Sequence, residues 1–442
     1  MRGFLFFWMF PCQSATLTRM KGPSPYRNPW SFLPTLYFAE GLPYVLINTV
    51  SVILYKRMGI DNERIAFWTS WLYLPWVVKM FWGPVVDMYS TKRTWLLSTQ
   101  AVMSLCMFVI AFSLRADSFF FLSLAAFCAA AFVSATYDIA TDGFYMLALS
   151  EKEQALFVGL RAAFYRIAMI FGSGVLVYVA GILEISSGNI AWSWSRVMIL
   201  SALLFGTAFV YHKFMLPFPV ADGSGKTREG PMEASFAEVI RAYFRQDRIG
   251  IMLAFILFYR LGEAMLLKLV SPFLLDSANV GGLGLDTKDV GLVYGTVGVL
   301  CLVLGGILGG WLISRFGFKR CVWPMVIAMH APDLFFVYLA YTQPGLWLVY
   351  PLVAMEQFGY GMGFTVFTVY LMHSAQGRFK TSHYAISTGI MALGMMLPGF
   401  LSGWLQQTVG YKMFFIIVCI MTIPGILTIP FIVKAYRERS AE

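Results

Sequence analysis

Charge is scarce in this chain. Of 442 residues, 13% are Asp, Glu, Lys or Arg and 59% are hydrophobic, whereas a soluble globular domain carries about 25% charged residues. That excludes the two or three soluble domains that length alone suggests, and repeated apolar runs of about 20 residues fit a lipid-facing helical bundle instead. Cysteine is sparse as well. Cys12, Cys106, Cys128, Cys301, Cys321 and Cys419 are scattered, mostly inside apolar runs, and no pair has metal-ligand spacing. Neither a disulfide framework nor a zinc site is therefore expected. The four histidines, His212, His330, His373 and His383, form no zinc or acyltransferase cluster, and His330-Ala-Pro-Asp333 is a lone His–Asp pair. Gly223-Ser-Gly-Lys-Thr227 has the wrong spacing, and no strand before it, for a phosphate-cradling loop. No catalytic residue, metal or cofactor is expected, and an enzyme is disfavoured.

What the chain has in excess is basic charge, +10 net. The Lys and Arg sit in short hydrophilic breaks rather than on one face, which speaks for topological anchoring and against nucleic acid. Between the breaks the apolar runs predict helices near 31–55, 65–88, 94–114, 118–147, 155–183 and 194–216, then 250–275, 288–313, 321–341, 346–372, 384–407 and 412–434. The expected organisation is a cytoplasmic leader (1–29), a six-helix bundle (30–216), a cytoplasmic linker (217–249), a second six-helix bundle (250–435) and a tail (436–442). Phe4 to Phe10 is too short to span and is closed by Pro11, and Met20 begins a more ordinary leader. Residues 1–19 thus read as an upstream start or a loose interfacial tail. The linker, centred on Asp222-Gly-Ser-Gly-Lys-Thr-Arg-Glu-Gly-Pro231, should be flexible and lead into a short amphipathic helix around Phe236–Phe244. Basic residues crowd the segments on the side of the termini, which favours both termini in the cytoplasm. Lys56, Arg57 and Arg64 in the first opposite loop run against that count.

The halves echo each other. Gly83-Pro-Val-Val-Asp87-Met-Tyr-Ser-Thr-Lys92-Arg93 follows the second helix, and Gly310-Trp-Leu-Ile-Ser-Arg315-Phe-Gly-Phe-Lys319-Arg320 follows the eighth, with the Lys-Arg pair at the same offset from the Gly. A small Gly permits close helix approach, and basic residues there can pair with helix C-termini and carboxylates at a gate. The first copy resembles the major facilitator loop signature; in the second, Ser314 stands where the acid would be. An internal repeat is the build of a secondary transporter. The expected fold is therefore an all-α membrane protein of the major facilitator type, about twelve transmembrane helices in two six-helix bundles. A monomer is expected, because such a fold closes on itself. A channel is the third class, disfavoured by the repeat and the breaker-rich spans.

Ionisable groups inside spans are expensive and informative. Glu40, Asp138, Asp142, Arg161, Arg166, Arg260, Glu263, Lys268, Asp333 and Glu356, the last beside Gln357, all fall there; Lys79 near a span end can snorkel and carries the least information. Counting from the short loop at Ser150–Gln154 at about 1.5 Å per residue, Asp142 and Arg161 lie roughly 9 Å deep and Asp138 and Arg166 roughly 15 Å. Two acid–base pairs between neighbouring helices are expected, and Arg260 with Glu263 can pair at i,i+3. Three readings stay open: structural ion pairs, carboxylates that couple proton flow (Glu40, Asp138, Asp142, Glu356), and cationic clamps for an anionic solute. Tyr37 and Tyr44 flank Glu40, Tyr137 and Tyr145 flank the helix-4 acids, Tyr165 adjoins Arg166, and Tyr360 follows Glu356 by four. Such rings suit sugar faces or an amphipathic ligand.

Several of these stretches resemble the AmpG muropeptide permeases. They are Phe38-Ala-Glu-Gly41-Leu42-Pro43, Lys79-Met-Phe-Trp-Gly-Pro84-Val-Val-Asp87, Arg93-Thr-Trp95-Leu-Leu-Ser-Thr-Gln100, Tyr137-Asp138-Ile-Ala-Thr-Asp142 and Tyr165-Arg166-Ile-Ala-Met. Gly361-Met-Gly-Phe364, Tyr384-Ala385-Ile-Ser387 and Pro398-Gly399-x-x-x-Gly403-Trp404 continue the likeness, which covers roughly residues 30–434. The resemblance implies a proton-driven importer of anhydromuropeptides in a Gram-negative inner membrane, with Asp138, Asp142 and Arg166 as matched positions. Glu40 departs from that family's small polar residue, and Arg260, Glu263 and Lys268 have no placed counterpart. Carriers of acetyl-coenzyme A or of siderophore-like solutes belong to the same wider group.

Overall fold

A computed structural model describes residues 27–83, 86, 89–219, 236–375 and 380–439. Every regular element among them is helical. Among the described residues, nine stretches are long and apolar enough to cross a membrane, and the last of these, His383–Tyr436, is two helices divided at Gly410, whose φ of 74° suits glycine and ends the first run. Two more complete the set. Leu346–Ser374 is 29 residues long, and the 62–81 helix is interrupted after Trp71 and tightens to a 3-10 turn at Lys79–Phe81. In chain order these are α1 (Leu33–Arg57), α2 (62–81), α3 (Lys92–Ser113), α4 (Phe119–Ala148), α5 (151–187), α6 (Ile190–Met215), α7 (Ile249–Leu275), α8 (Thr287–Phe316), α9 (Phe318–Thr342), α10 (Leu346–Ser374), α11 (380–409) and α12 (411–439). The expected short amphipathic helix is present at Phe236–Phe244 and docks on α11, where the buried Tyr243 hydroxyl meets Ser387 Oγ at 2.9 Å. Residues 1–19, Asp87 and Asp222–Pro231 lie outside the described residues.

Side chains such as Leu105, Phe112, Leu203, Leu304, Ile307 and Leu427 point outward and stay exposed, as a bundle bathed in acyl chains requires. The buried apolar side chains divide unequally. One core joins both halves at the end away from the termini, bringing Ile53, Leu176 and Val177 together with Leu269, Phe273, Val290 and Val293. At the terminus-bearing end the halves keep separate cores, one around Leu36, Phe144 and Leu149, the other around Phe255, Val322 and Phe367. The two bundles therefore share a core at one end and keep separate cores at the other, where α11 still meets α2: a Cβ on Gly389 would lie 3.1 Å from the Val77 carbonyl oxygen.

The seams use small residues. A Cβ on Gly295 of α8 would sit 1.9 Å from the Ser173 carbonyl oxygen of α5, and one on Gly181 would sit 2.2 Å from the Lys288 nitrogen. Both crossing stretches contain a π turn, Phe171–Leu176 and Gly291–Gly298, a feature often found at functional sites.

Candidate functional site

A cavity of about 260 Å³ lies between the bundles. The first half contributes Tyr44 and Asn48 from α1, Tyr73, Trp76 and Lys79 from α2, and Met169 and Ser173 from α5; the second contributes Arg260 and Lys268 from α7, Tyr294 from α8, and Gln357 and Tyr360 from α10. Three of these are cationic, and among the described residues no carboxylate lines the space. Arg260 donates to the Tyr360 hydroxyl and lies 4.9 Å from the Phe364 ring centroid. Lys268 is buried, its Nζ has no hydrogen-bond partner, and it sits 5.6 Å from the Tyr73 ring centroid. An anion entering here would meet desolvated positive charge framed by aromatic faces.

Beside the cavity, α1, α2, α4 and α5 assemble a charged cluster. Lys79 pairs with Asp138, and the buried Glu40 carboxyl lies beside Asp138. Arg161 pairs with Asp142 at 3.1 Å and sits over the rings of Tyr37 and Tyr145. Lys79 thus belongs to both places, lining the cavity and holding the acid. It is the residue whose importance position near a span end concealed.

Several expectations need correcting. Asp142–Arg161 forms as expected, but Asp138 pairs with Lys79, and Arg166 meets no carboxylate among the described residues; its guanidinium contacts Met169 Sδ at 3.7 Å. Azimuth decides: residues five apart on a helix point about 140° apart, so Arg161 and Arg166 cannot both face the acids of α4. Arg260 and Glu263 do not pair either. The helix breaks at Tyr259–Arg260, with Arg260 at φ −108° and ψ 15°, which removes the i,i+3 register. Tyr137 is buried away from the cavity, accepting from Gln100 at 2.8 Å and donating to the Leu36 carbonyl at 3.2 Å. Tyr165 packs its ring near Tyr44, 6.4 Å between centroids. Glu356 and Glu263 meet away from the cavity, in the second bundle, with Asp333. Gln357 reaches the cavity while donating to Glu356 at 3.0 Å.

In the two loops expected to gate, Gly83 and Gly310 make no close approach among the described residues: a Cβ on either would meet none of them within 4 Å. Arg93 does bind a helix C-terminus, donating to the Lys213 carbonyl of α6 at 2.6 Å and lying over Phe218. Lys92 is buried with its methylenes against Gly143. In the second copy Arg315, Lys319 and Arg320 are exposed, and Ser314 bonds within its own turn to the Trp311 carbonyl.

Sequence reading missed the seal at the fused end. Lys56 pairs with Asp276 at 2.6 Å, and Asn62 donates to Gln406 and Tyr411, both at 2.8 Å. Tyr411 in turn donates to Asp276 at 2.7 Å. Arg57 pairs with Glu184 at 2.9 Å, and Glu184 also accepts from Thr287 at 2.7 Å, across the bundles. This explains the basic residues that weakened the orientation count: Lys56 and Arg57 are engaged in ion pairs. A signal existed in Asp276 and Glu184, acids at the same ends of their spans.

The sequence profile of the Major Facilitator Superfamily matches residues 35–382. The anhydromuropeptide permease of Escherichia coli K12 is 25% identical over 406 residues, covering 90% of this chain and 78% of that one. An uncharacterized protein of Haemophilus influenzae is 24% identical over 420 residues, covering 91% and 94%. Among solved structures, a bacterial homologue of the human lysosomal transporter Spinster, inward-facing and unoccupied, superposes with a TM-score of 0.67 at 13% identity, covering 92% and 95%.

Proposed function

Because the chain belongs to the Major Facilitator Superfamily, we propose that this multi-pass transporter carries anhydromuropeptides into the cytoplasm together with protons, working as a monomer in the inner membrane with both termini cytoplasmic. The observation that carries the reading is the double position of Lys79, on the cavity wall and in contact with Asp138. A proton arriving at the Glu40–Asp138 pair releases Lys79 to bind a carboxylate of the solute, and loss of the solute returns Lys79 to Asp138. Proton and anion are thereby linked through one ammonium group, each favouring the other. Arg260 and Lys268 supply the remaining positive charge, and Tyr44, Tyr73, Trp76 and Tyr360 offer faces to sugar rings.

Size supports a large solute only in part of its length. At about 260 Å³ the cavity is below the roughly 300–1,000 Å³ of pockets that enclose a drug-sized ligand, so a muropeptide would seat one portion there, and its remainder would require α2 and α11 to separate toward the terminus-bearing end. With the termini inside, the fused end faces outward and the end without a shared core faces the cytoplasm, the side to which an importer releases its load.

The test is uptake of labelled anhydromuropeptide into proteoliposomes under an imposed inward proton gradient. Saturable uptake that collapses with the gradient, and loses its gradient dependence in Lys79→Gln, is the expected result. Folded, correctly oriented protein that takes up none overturns the muropeptide reading and leaves another anionic amphipathic solute, such as acetyl-coenzyme A or a siderophore-like compound.

A further inference from the structure

Away from the cavity, three helices of the second bundle turn acids toward one point. Glu263 of α7, Asp333 of α9 and Glu356 of α10 are 0%, 1% and 1% exposed, and one oxygen from each lies within 4.8 Å of the others. Both oxygens of Glu263 and both of Asp333 lack a hydrogen-bond partner. His330 is the independent pointer to a ligand. It is 6% exposed, neither ring nitrogen has a hydrogen-bond partner, and Nδ1 faces Asp333 Oδ2 at 3.7 Å, too long for a hydrogen bond. Buried, unpaired carboxylates are costly, so something positive belongs among them. The nearest fixed cation is Arg260, whose guanidinium is engaged by Tyr360.

We propose that Glu263, Asp333 and Glu356, with His330 beside them, hold one divalent cation inside the second bundle. Oxygens that ligate a single cation at about 2.0–2.6 Å are at most about 5 Å apart, which this cluster satisfies. Three carboxylates carry three negative charges; a divalent ion cancels two of them where a monovalent one cancels one, and Arg260, which faces the cavity, offsets the remainder only at a distance. His330 is not one of the three mutually close ligands, but its Nδ1 faces Asp333, and carboxylate oxygens with an imidazole at hand favour Mn²⁺ or Zn²⁺ over the purely oxygen-seeking Mg²⁺ and Ca²⁺. The ion would tie α7, α9 and α10 together, and Gln357, which donates to both Glu356 oxygens, would connect it to the cavity wall.

The experiment is Mn²⁺ titration of chelator-treated, full-length protein in detergent, with free Mn²⁺ read by electron paramagnetic resonance and Zn²⁺ as competitor. One Mn²⁺ per chain is expected, displaced by Zn²⁺, with a rise in thermal midpoint. Glu263→Gln and Asp333→Asn should weaken binding at least tenfold, and Asp117→Asn, in an exposed turn, should not. If those carboxylate variants do not fold, His330→Gln keeps all three acids and must still weaken Zn²⁺ binding. Folded wild-type protein with no saturable Mn²⁺ or Zn²⁺ binding overturns the proposal and leaves protons as the compensating charge; unchanged affinity in a folded Glu263→Gln or His330→Gln overturns it too. None of these readouts depends on the identity of the transported solute.

Discussion

If the α5–α8 seam closes in only one state of an alternating-access cycle, a single methyl group placed there should tilt the cycle without damaging the fold. Gly295→Ala puts its Cβ 1.9 Å from the Ser173 carbonyl oxygen and 2.5 Å from the Gly174 nitrogen. Both neighbours are backbone, so no side chain can swing aside. Relief to the 3.4 Å of an ordinary contact requires the helices to part locally by about 1.5 Å. Overpacking of this kind costs about 1–3 kcal/mol. Since the seam joins two bundles, the cost falls on the sealed state alone and shifts the conformational equilibrium by roughly 5–150-fold. A reporter is available in Ser271, which is buried, lines the cavity and stands on the sealed side. With native cysteines replaced, Ser271→Cys in proteoliposomes should react with an impermeant maleimide applied from the sealed side 5–150-fold faster when Gly295→Ala is added. Gly359→Ala is the contrast: its Cβ would lie 1.8 Å from the Ala328 carbonyl of α9, inside one bundle. No state releases that clash, so this variant should lose folded yield without a specific gain in labelling. Unchanged labelling in Gly295→Ala, or behaviour like Gly359→Ala, refutes the view that the seam opens.

Lys56→Met should also favour opening of the sealed side, because it removes the Lys56–Asp276 ion pair, whose side chains are 14% and 16% exposed; the exchanged pair Lys56→Asp with Asp276→Lys should restore slow labelling of the same reporter. Lys268→Met should raise the thermal midpoint, since a buried ammonium without a hydrogen-bond partner is removed, while raising the KM for an anionic solute about tenfold, equivalent to roughly 1.4 kcal/mol; a lower midpoint would show that Lys268 is structural. In thermal unfolding, Lys79→Met with Asp138→Asn should be less destabilised than the sum of the single variants, because each single change strands one charge of the pair; strict additivity would count against the pair.

The spans were legible because hydrophobicity over 20 residues is a strong, local signal. Even the Phe236–Phe244 helix was readable from its apolar face and the Gly-rich stretch before it. What bound the bundles together was less visible. Gly291-Leu-Val-Tyr-Gly295 is a GxxxG run that marks a packing face, whereas Gly83 and Gly310, in the more conspicuous repeated motif, have no close neighbour among the described residues. A glycine marks a potential close approach; only the partner helix decides whether one occurs.

The candidate site divides along the same line. Asp142–Arg161 was predictable because both residues flank one short loop, so chain geometry nearly fixes their separation. Lys79–Asp138 joins residues 59 apart through a helix that tightens at Lys79–Phe81, and nothing local announces it. Glu263, Asp333 and Glu356 come from three helices, and spacing rules for metal ligands, which search for residues a few positions apart, pass over such a set. The chain separates its buried charges by bundle: in the first, acids are matched by Lys79 and Arg161 close at hand; in the second, three acids gather while two cations, Arg260 and Lys268, face the cavity. Moving a counter-charge out of the acid cluster and into the solute path makes sense when something diffusible, a solute anion on one side and a cation on the other, completes each half. Reversing that division by Glu356→Lys should therefore abolish Mn²⁺ binding in protein that remains folded, and retained binding would mean that the cluster is not where the ion sits.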